Sequence, residues 1–333
     1  MLKRTKNTLG RLPLNLLQAG YPGVADFLQR MICAGSSDSV KKRTLFFIRA
    51  VGFLYRRNST QGTLASPDYQ VFLINRDRDE DRLKTFDLRA KKFGIRYTRI
   101  PALDCTAPGF DFRSLDHKIG DSFNNTELFL KGAIGCFVSH THAWKAFYES
   151  GEALGMICED DARILGPIPR SFSDYKIPDD ADLVFVNQRM VEGLLHPPFV
   201  PGSAFGDFQC VSLNVALPEL MNVHSPISGS GADGYLLTRQ GVKKLLRMND
   251  SLKITIDLDW FLVFQGLTDE EFQAFLNSDP TLRFRAHTLQ GERLNAYVLL
   301  PCLVEQANVL SSIRNQPTYY TREELIPAPL ESC

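Results

Sequence analysis

The chain holds 333 residues, 44% hydrophobic and 23% charged, the composition of an ordinary folded soluble protein. A core of that size needs neither disulfides nor a structural metal, and no stretch approaches the ~18 apolar residues of a membrane span. The formal net charge of zero is a balance of opposites: residues 1–60 hold eleven Lys/Arg against Asp26 and Asp38, a surplus of +9, which the remainder offsets.

The 7 cysteines (Cys33, Cys105, Cys136, Cys158, Cys210, Cys302 and Cys333) are scattered without a CxxC pair. Met1-Leu2-Lys3-Arg4 starts basic, and no apolar leader follows. Both features point to reduced thiols in a cytoplasmic protein and away from a zinc site. On that reading Asn58-Ser59-Thr60 and Asn124-Asn125-Thr126 are chance matches to the glycosylation triplet.

Residues 1–66 are expected to form a basic helical extension. Val24, Phe27, Leu28, Met31 and Ile32 follow helical spacing behind Pro22. Phe47, Ile48, Val51, Leu54 and Tyr55 do so in a second helix, from about Val40 to Arg57. Amphipathic helices this basic either pack on the main domain or lie on an anionic membrane, so residues 1–57 are a candidate peripheral contact with the cytoplasmic membrane face. Ser59 to Asp68 is the linker.

From Tyr69 the pattern alternates between strand and helix. Strands are expected at Tyr69–Ile74, Arg96–Ile100, Leu154–Cys158, Asp182–Val186 and Tyr235–Thr238. Helices are expected at Asp79–Phe93, Ala133–Glu149 and Arg239–Met248. The alternation implies an α/β fold with a mostly parallel sheet covered by helices.

Glu159-Asp160-Asp161 directly follows an apolar strand, where open α/β sheets place ligands. Crowded carboxylates favour Mn²⁺ or Mg²⁺, which take oxygen ligands and can stabilise a departing diphosphate. A solvated acidic turn is the plainer reading of the triplet alone. Asn75-Arg76 lies at another carboxyl edge, with Arg82 shortly after, where an amide can read a base or ribose and an arginine can meet phosphate. The same stretch also suits a charged helix start capped by Asp79.

Lys131, Gly132, Ser139 and His140 belong to the start of the strongest helix, where backbone N–H groups favour anions. A helical histidine also often serves a structural hydrogen bond. Gly229 to Tyr235 makes a polar turn into a strand, and Ile256-Asp257-Leu258-Asp259-Trp260 offers two acids. A carboxylate there could accept a proton from an attacking hydroxyl, or simply cap a helix.

In this order, VFLINRDRDEDR, KGAIGCFVSHTHAW, MICEDDARI, GADGYLLTRQGVKKLL, IDLDW and PCLVEQANVLSSI resemble glycosyltransferase family 25, the lipooligosaccharide and collagen galactosyltransferase-like enzymes. The resemblance runs from about Tyr69 to Arg314. It implies a GT-A fold, Rossmann-like, over residues 67–333, with a nucleotide-sugar half at about 67–190 and an acceptor half at about 191–320.

The resemblance further implies a metal-dependent inverting transfer of a sugar from a UDP-sugar, with UDP-galactose first, to a hydroxyl of a glycan, glycolipid or lipopolysaccharide. Nucleic acid is not an expected partner. Asp161, with Asp160, would hold the metal. Asn75, Arg76, Arg82, Lys131, Gly132, Ser139, His140, Glu159 and Asp160 would face the donor, and Asp257, Asp259 and Asp233 would supply catalytic carboxylates. The chain departs from the family at Ala232-Asp233, where the usual turn is Gly-Thr/Ser-His-Ala/Gly-Tyr. That change keeps open a nucleotide-sugar- or carbohydrate-binding protein without turnover, and the basic extension keeps open a membrane-associated adaptor.

Overall fold

The computed structural model describes residues 69–117, 129–165, 168, 175–187, 209–213, 231–251, 254, 257–278, 292–300, 302–306 and 319–320. The expected helices at 24–32 and 40–57, the 59–68 linker and both glycosylation triplets lie outside the described residues.

The centre is a seven-stranded sheet in the order β2-β1-β4-β8-β6-β9-β7. Its strands are β1 (Gln70–Asn75), β2 (Tyr97–Pro101), β4 (Leu154–Glu159), β6 (Leu183–Phe185), β7 (Gln209–Ser212), β8 (Gly234–Thr238) and β9 (Ala296–Leu300). β1 pairs in parallel with β2 and β4, and β6 with β9. β8 runs antiparallel between β4 and β6, and β7 antiparallel to β9. The sheet is therefore mostly parallel, with β7 and β8 reversed. Short pairs β3 (Phe129–Leu130) with β11 (Tyr319–Tyr320), and β5 (Ala162–Ile164) with β10 (Val304–Gln306), complete the described strands.

Helix α1 (Glu80–Phe93) carries Glu80 and Asp81 in its first turn and Lys91 and Lys92 in its last, which complements its dipole. It stops at Gly94, whose φ of 67° suits glycine and whose N–H bonds to the carbonyls of Ala90 and Lys91. Helix α2 (Lys131–Ser150) buries Ile134, Phe137, Val138, Thr141, Trp144 and Phe147, so its inward face is continuous. Helices α3 (Arg239–Ser251), α4 (Leu258–Gln265) and α5 (Asp269–Ser278) follow β8.

Two cores result, one on each face of the sheet. Phe72, Ile157, Phe185, Tyr235 and Leu237 meet α2, α3 and α4 on one face, while Val71, Leu73, Met156, Val184 and Leu236 meet α1 on the other. Burial on both faces explains why these strands read as unbroken apolar runs, each large side chain contributing about 1.5–3 kcal/mol.

Close backbone approach fixes how α3 meets the sheet. At Gly241 an added Cβ would sit 2.1 Å from the carbonyl oxygen of Asp182. Gly241→Ala should therefore destabilise the fold by at least about 2 kcal/mol, against a near-neutral Gln240→Ala one residue earlier, as read by urea unfolding. Equal midpoints for the two variants would refute that packing.

Candidate active site

The carboxyl ends of β1 and β4 lie side by side, with Ile74 opposite Glu159. The residues that leave these ends form one wall of an open cleft. The opposite wall comes from the loop after β2 and the first turns of α2. Of the residues expected to face a donor, Asn75, Arg76, Arg82, Gly132, Ser139, His140, Glu159 and Asp160 line this cleft. Lys131 does not; its ammonium lies 5.6 Å from the centre of the Phe112 ring.

Asn75 is an organiser. Its Nδ2 donates to Asp160 at 2.8 Å and to the Asp79 carbonyl at 3.2 Å, while its Oδ1 accepts from Arg99 Nε at 3.0 Å. Arg76 reaches Asp79 at 2.6 Å and approaches Asp104 at 3.9 Å. Arg82 spans two members of the acidic triplet, with Nη2 2.7 Å from Asp160 and 3.0 Å from Asp161. The Asp160 carboxyl is pushed up to about 6 by burial, against the opposing pull of Arg82 and Asn75.

Asp161 is buried and directly precedes β5. Its Oδ2 accepts from Gln306 at 3.3 Å as well as from Arg82, while its Oδ1 has no hydrogen-bond partner among the described residues. A buried carboxylate oxygen in that state has a cost that a bound cation would remove, and hard oxygen donors suit Mn²⁺ or Mg²⁺. Asp161 and Asp160 therefore fit such an ion.

A second chain of polar groups runs from the core to the cleft. Trp144 Nε1 donates to the Tyr235 hydroxyl at 2.8 Å, Tyr235 lies 2.7 Å from His140 Nδ1, and His140 Nε2 lies 3.2 Å from Glu159. Indole can only donate, so the phenol accepts from it; a carboxylate can only accept, so the neutral imidazole turns its N–H to Glu159 and its Nδ1 lone pair to the phenol O–H. The imidazole then carries its proton on Nε2 and donates it to Glu159. Burial pushes His140 down to about 3, so it is neutral.

Ser139 is occupied structurally: its Oγ donates to the Gly135 carbonyl and accepts from Leu103 N–H. Gly135 itself is required by packing, because a Cβ there would lie 2.6 Å from the Leu103 carbonyl oxygen. The later acids come next to the triplet through β8 and α4. The Asp233 carbonyl accepts from Glu159 N–H at 3.2 Å, and Asp259 Oδ1 accepts from Ala232 N–H at 2.9 Å. Asp257 caps α4, accepting from Trp260 N–H. None of these three lines the cleft itself. Asp259 nevertheless exerts its charge on both Cys136 and His140.

Sequence reasoning did not single out Asp104, Cys136, Tyr235 or Gln306. Cys136 and His140 share a helix face at i, i+4, a signal that was present; Asp104 and Gln306 reach the site from irregular chain and a short strand without a local signature.

A mostly parallel sheet with helices on its faces and a cleft at its strands' carboxyl ends is consistent with a Rossmann-like glycosyltransferase fold. Residues 68–195, the segment that contains β1 to β6, match the model of glycosyltransferase family 25 (LPS biosynthesis protein). The match supports a glycosyltransferase of lipopolysaccharide synthesis, a class that works on a sugar donor and a glycan acceptor.

Two outcomes follow from these contacts. Arg82→Met should cost about 3 kcal/mol in urea unfolding by stranding two carboxylates, and adding Asp160→Asn with Asp161→Asn should recover most of it. No loss in the single variant would refute the pairing. His140 is protonated below pH 6.5 when unfolded but stays neutral to about 3 when folded, so its contribution is complete above 6.5 and falls on acidification. Wild type should therefore lose up to about 1.4 kcal/mol per pH unit more than His140→Gln, the full slope being reached about one unit below that point; parallel pH–stability curves would contradict it.

Proposed function

We propose that the chain is a metal-dependent inverting glycosyltransferase that moves a sugar, galactose first, from a UDP-sugar to a hydroxyl of a glycan in lipopolysaccharide or related surface-glycan synthesis. The observation that carries this reading is Asp161 Oδ1, buried beside Asp160 and without a hydrogen-bond partner among the described residues. Asp161 and Asp160 would hold Mn²⁺ or Mg²⁺, which supplies charge stabilisation for the diphosphate leaving group.

The chain's own residues bind and orient the donor. Ile74, Ala102 and Leu103 give the cleft an apolar side suited to a base, and Asp79, Asp104 and Arg76 offer it polar edges. Glu159, fixed by His140, faces the donor sugar. The acceptor oxygen attacks the anomeric carbon as the bond to the UDP oxygen breaks, and the hydroxyl proton passes to a carboxylate. Asp257, Asp259 and Asp233 are the candidates for that base. Asp259 leads them, because its charge reaches the His140–Cys136 side of the cleft.

One observation favours a second reading, a nucleotide-sugar-binding protein without turnover. Arg82 already supplies a cation to both Asp160 and Asp161, so a donor phosphate could be held without a metal.

Release of UDP from a panel of UDP-sugars, with Mn²⁺, Mg²⁺ or EDTA and an oligosaccharide acceptor panel, separates the two. Metal-dependent release is expected, reduced by at least about 100-fold in Asp161→Ala. Metal-independent donor binding with no release from any donor would overturn turnover and leave the binding reading. Normal release by Asp161→Ala would overturn the metal assignment.

A further inference from the structure

Among the described residues, Cys136, His140 and Glu159 bring one sulfur, one imidazole nitrogen and one carboxylate oxygen to within 4.8 Å of one another. Cys136 and His140 lie one helical turn apart on α2, and Glu159 ends β4 across from them. The Sγ is 3.8 Å from Glu159 Oε1 and the His140 Nε2 is 3.2 Å from the same oxygen. Two protons, one thiol and one imidazole, thus converge on a single carboxylate oxygen.

We propose that these three side chains form a site for one thiophilic divalent cation of the Zn²⁺ class, separate from the all-oxygen pair Asp160–Asp161. The spacing is that of a coordination shell. Zn–N, Zn–O and Zn–S bonds of about 2.0–2.3 Å at tetrahedral angles put nitrogen and oxygen roughly 3.3 Å apart, and sulfur and oxygen roughly 3.5 Å apart. Those edges lie close to the two separations found, and the sulfur and nitrogen, within 4.8 Å of each other, reach the roughly 3.6 Å of the third edge by side-chain shifts of at most about 1 Å.

Charge balances as well. A thiolate, a neutral imidazole and a carboxylate carry two negative charges, which a dication cancels. On binding, the thiol proton leaves to solvent and the imidazole proton moves from Nε2 to Nδ1. The Tyr235 oxygen accepts there once its own O–H has rotated away from Nδ1, since a phenol has two lone pairs and Trp144 occupies one. A ligating histidine backed by a fixed second-nitrogen partner is the usual arrangement of a metal site.

All three ligands line the cleft, which leaves the fourth position to water or a bound molecule. A soft sulfur selects against Mn²⁺ and Mg²⁺, so the two sites sort metals by donor chemistry. The inference is independent of the glycosyltransferase reading and needs no donor for its test.

Co²⁺ titration of the full chelator-stripped chain provides that test. Wild type should show a thiolate-to-Co²⁺ charge-transfer band with tetrahedral visible bands, bleached by stoichiometric Zn²⁺ and untouched by excess Mn²⁺. Cys136→Ser should abolish the charge-transfer band, and His140→Gln should weaken Zn²⁺ binding by more than the 10–100-fold that loss of an outer partner costs. Asp161→Asn should leave the spectrum unchanged. The proposal is overturned by the absence of the band in wild type, or by its survival in Cys136→Ser. Loss of the band in Asp161→Asn, or its displacement by Mn²⁺, would place the cobalt at the oxygen pair and overturn it equally. If Cys136→Ser fails to fold, Cys136→Ala serves in its place, and the wild-type spectrum alone still decides whether a thiolate binds the metal.

Discussion

The ion pairs from Arg82 to Asp160 and Asp161 tie helix α1 to the end of β4, and the site is built around that junction. An apolar strand that ends in three consecutive carboxylates would expel its own terminus toward water without nearby positive charge. The guanidinium supplies that charge to two of the three, and Asn75 adds a hydrogen bond to Asp160 from the neighbouring strand. Arg99 on β2 holds Asn75 in turn, so four elements register against one carboxylate. Burial and this support act in opposition on Asp160, and burial dominates, leaving a group held close to neutrality's edge.

How much of this was legible in the sequence follows from the range of the forces involved. β1, α1, β2, α2, β4, β8 and α3 were readable because each has a local period or an unbroken apolar run, set by burial on one face or two. The acidic triplet was readable for the same reason, since it interrupts an apolar strand. β7, β9 and β10 were not. They are short, and their pairing is decided by partners far along the chain, as in Cys210 opposite Leu299. The reversal of β8 is likewise a property of connection rather than composition. Within the site, Asn75 was found at a strand end, but its commitment to Arg99 and Asp160 involves separations of 24 and 85 residues that no local pattern carries.

The same limit governed the cysteines. Scattered along the sequence and lacking a CxxC pair, they argue against a metal site when spacing is the only guide. Folding brings Cys136 to His140 through one turn of α2 and to Glu159 through the crossing of α2 over β4. A helix can present two ligands at i, i+4 without any signature beyond that spacing, and the third comes from a strand 19 residues beyond His140. The cleft consequently has a hard end, made of carboxylate oxygens, and a soft end, made of sulfur, nitrogen and one shared carboxylate.

Glu159 joins these ends, and it also explains how the fold tolerates the Ala232-Asp233 turn. Glu159 N–H bonds to the Asp233 carbonyl, and the Ala232 N–H bonds to Asp259. Both contacts use the backbone of the turn, so its path beside β4 does not depend on which side chains positions 232 and 233 carry. Exchanging an imidazole for a carboxyl at 233 therefore leaves the geometry standing and changes its chemistry. A group able to give or take a proton near neutral pH is replaced by one that offers oxygen lone pairs. The acidic strand end gains a further carboxyl rather than a base of intermediate strength, which raises the local demand for positive charge. Arg82 meets part of that demand through its contacts with Asp160 and Asp161.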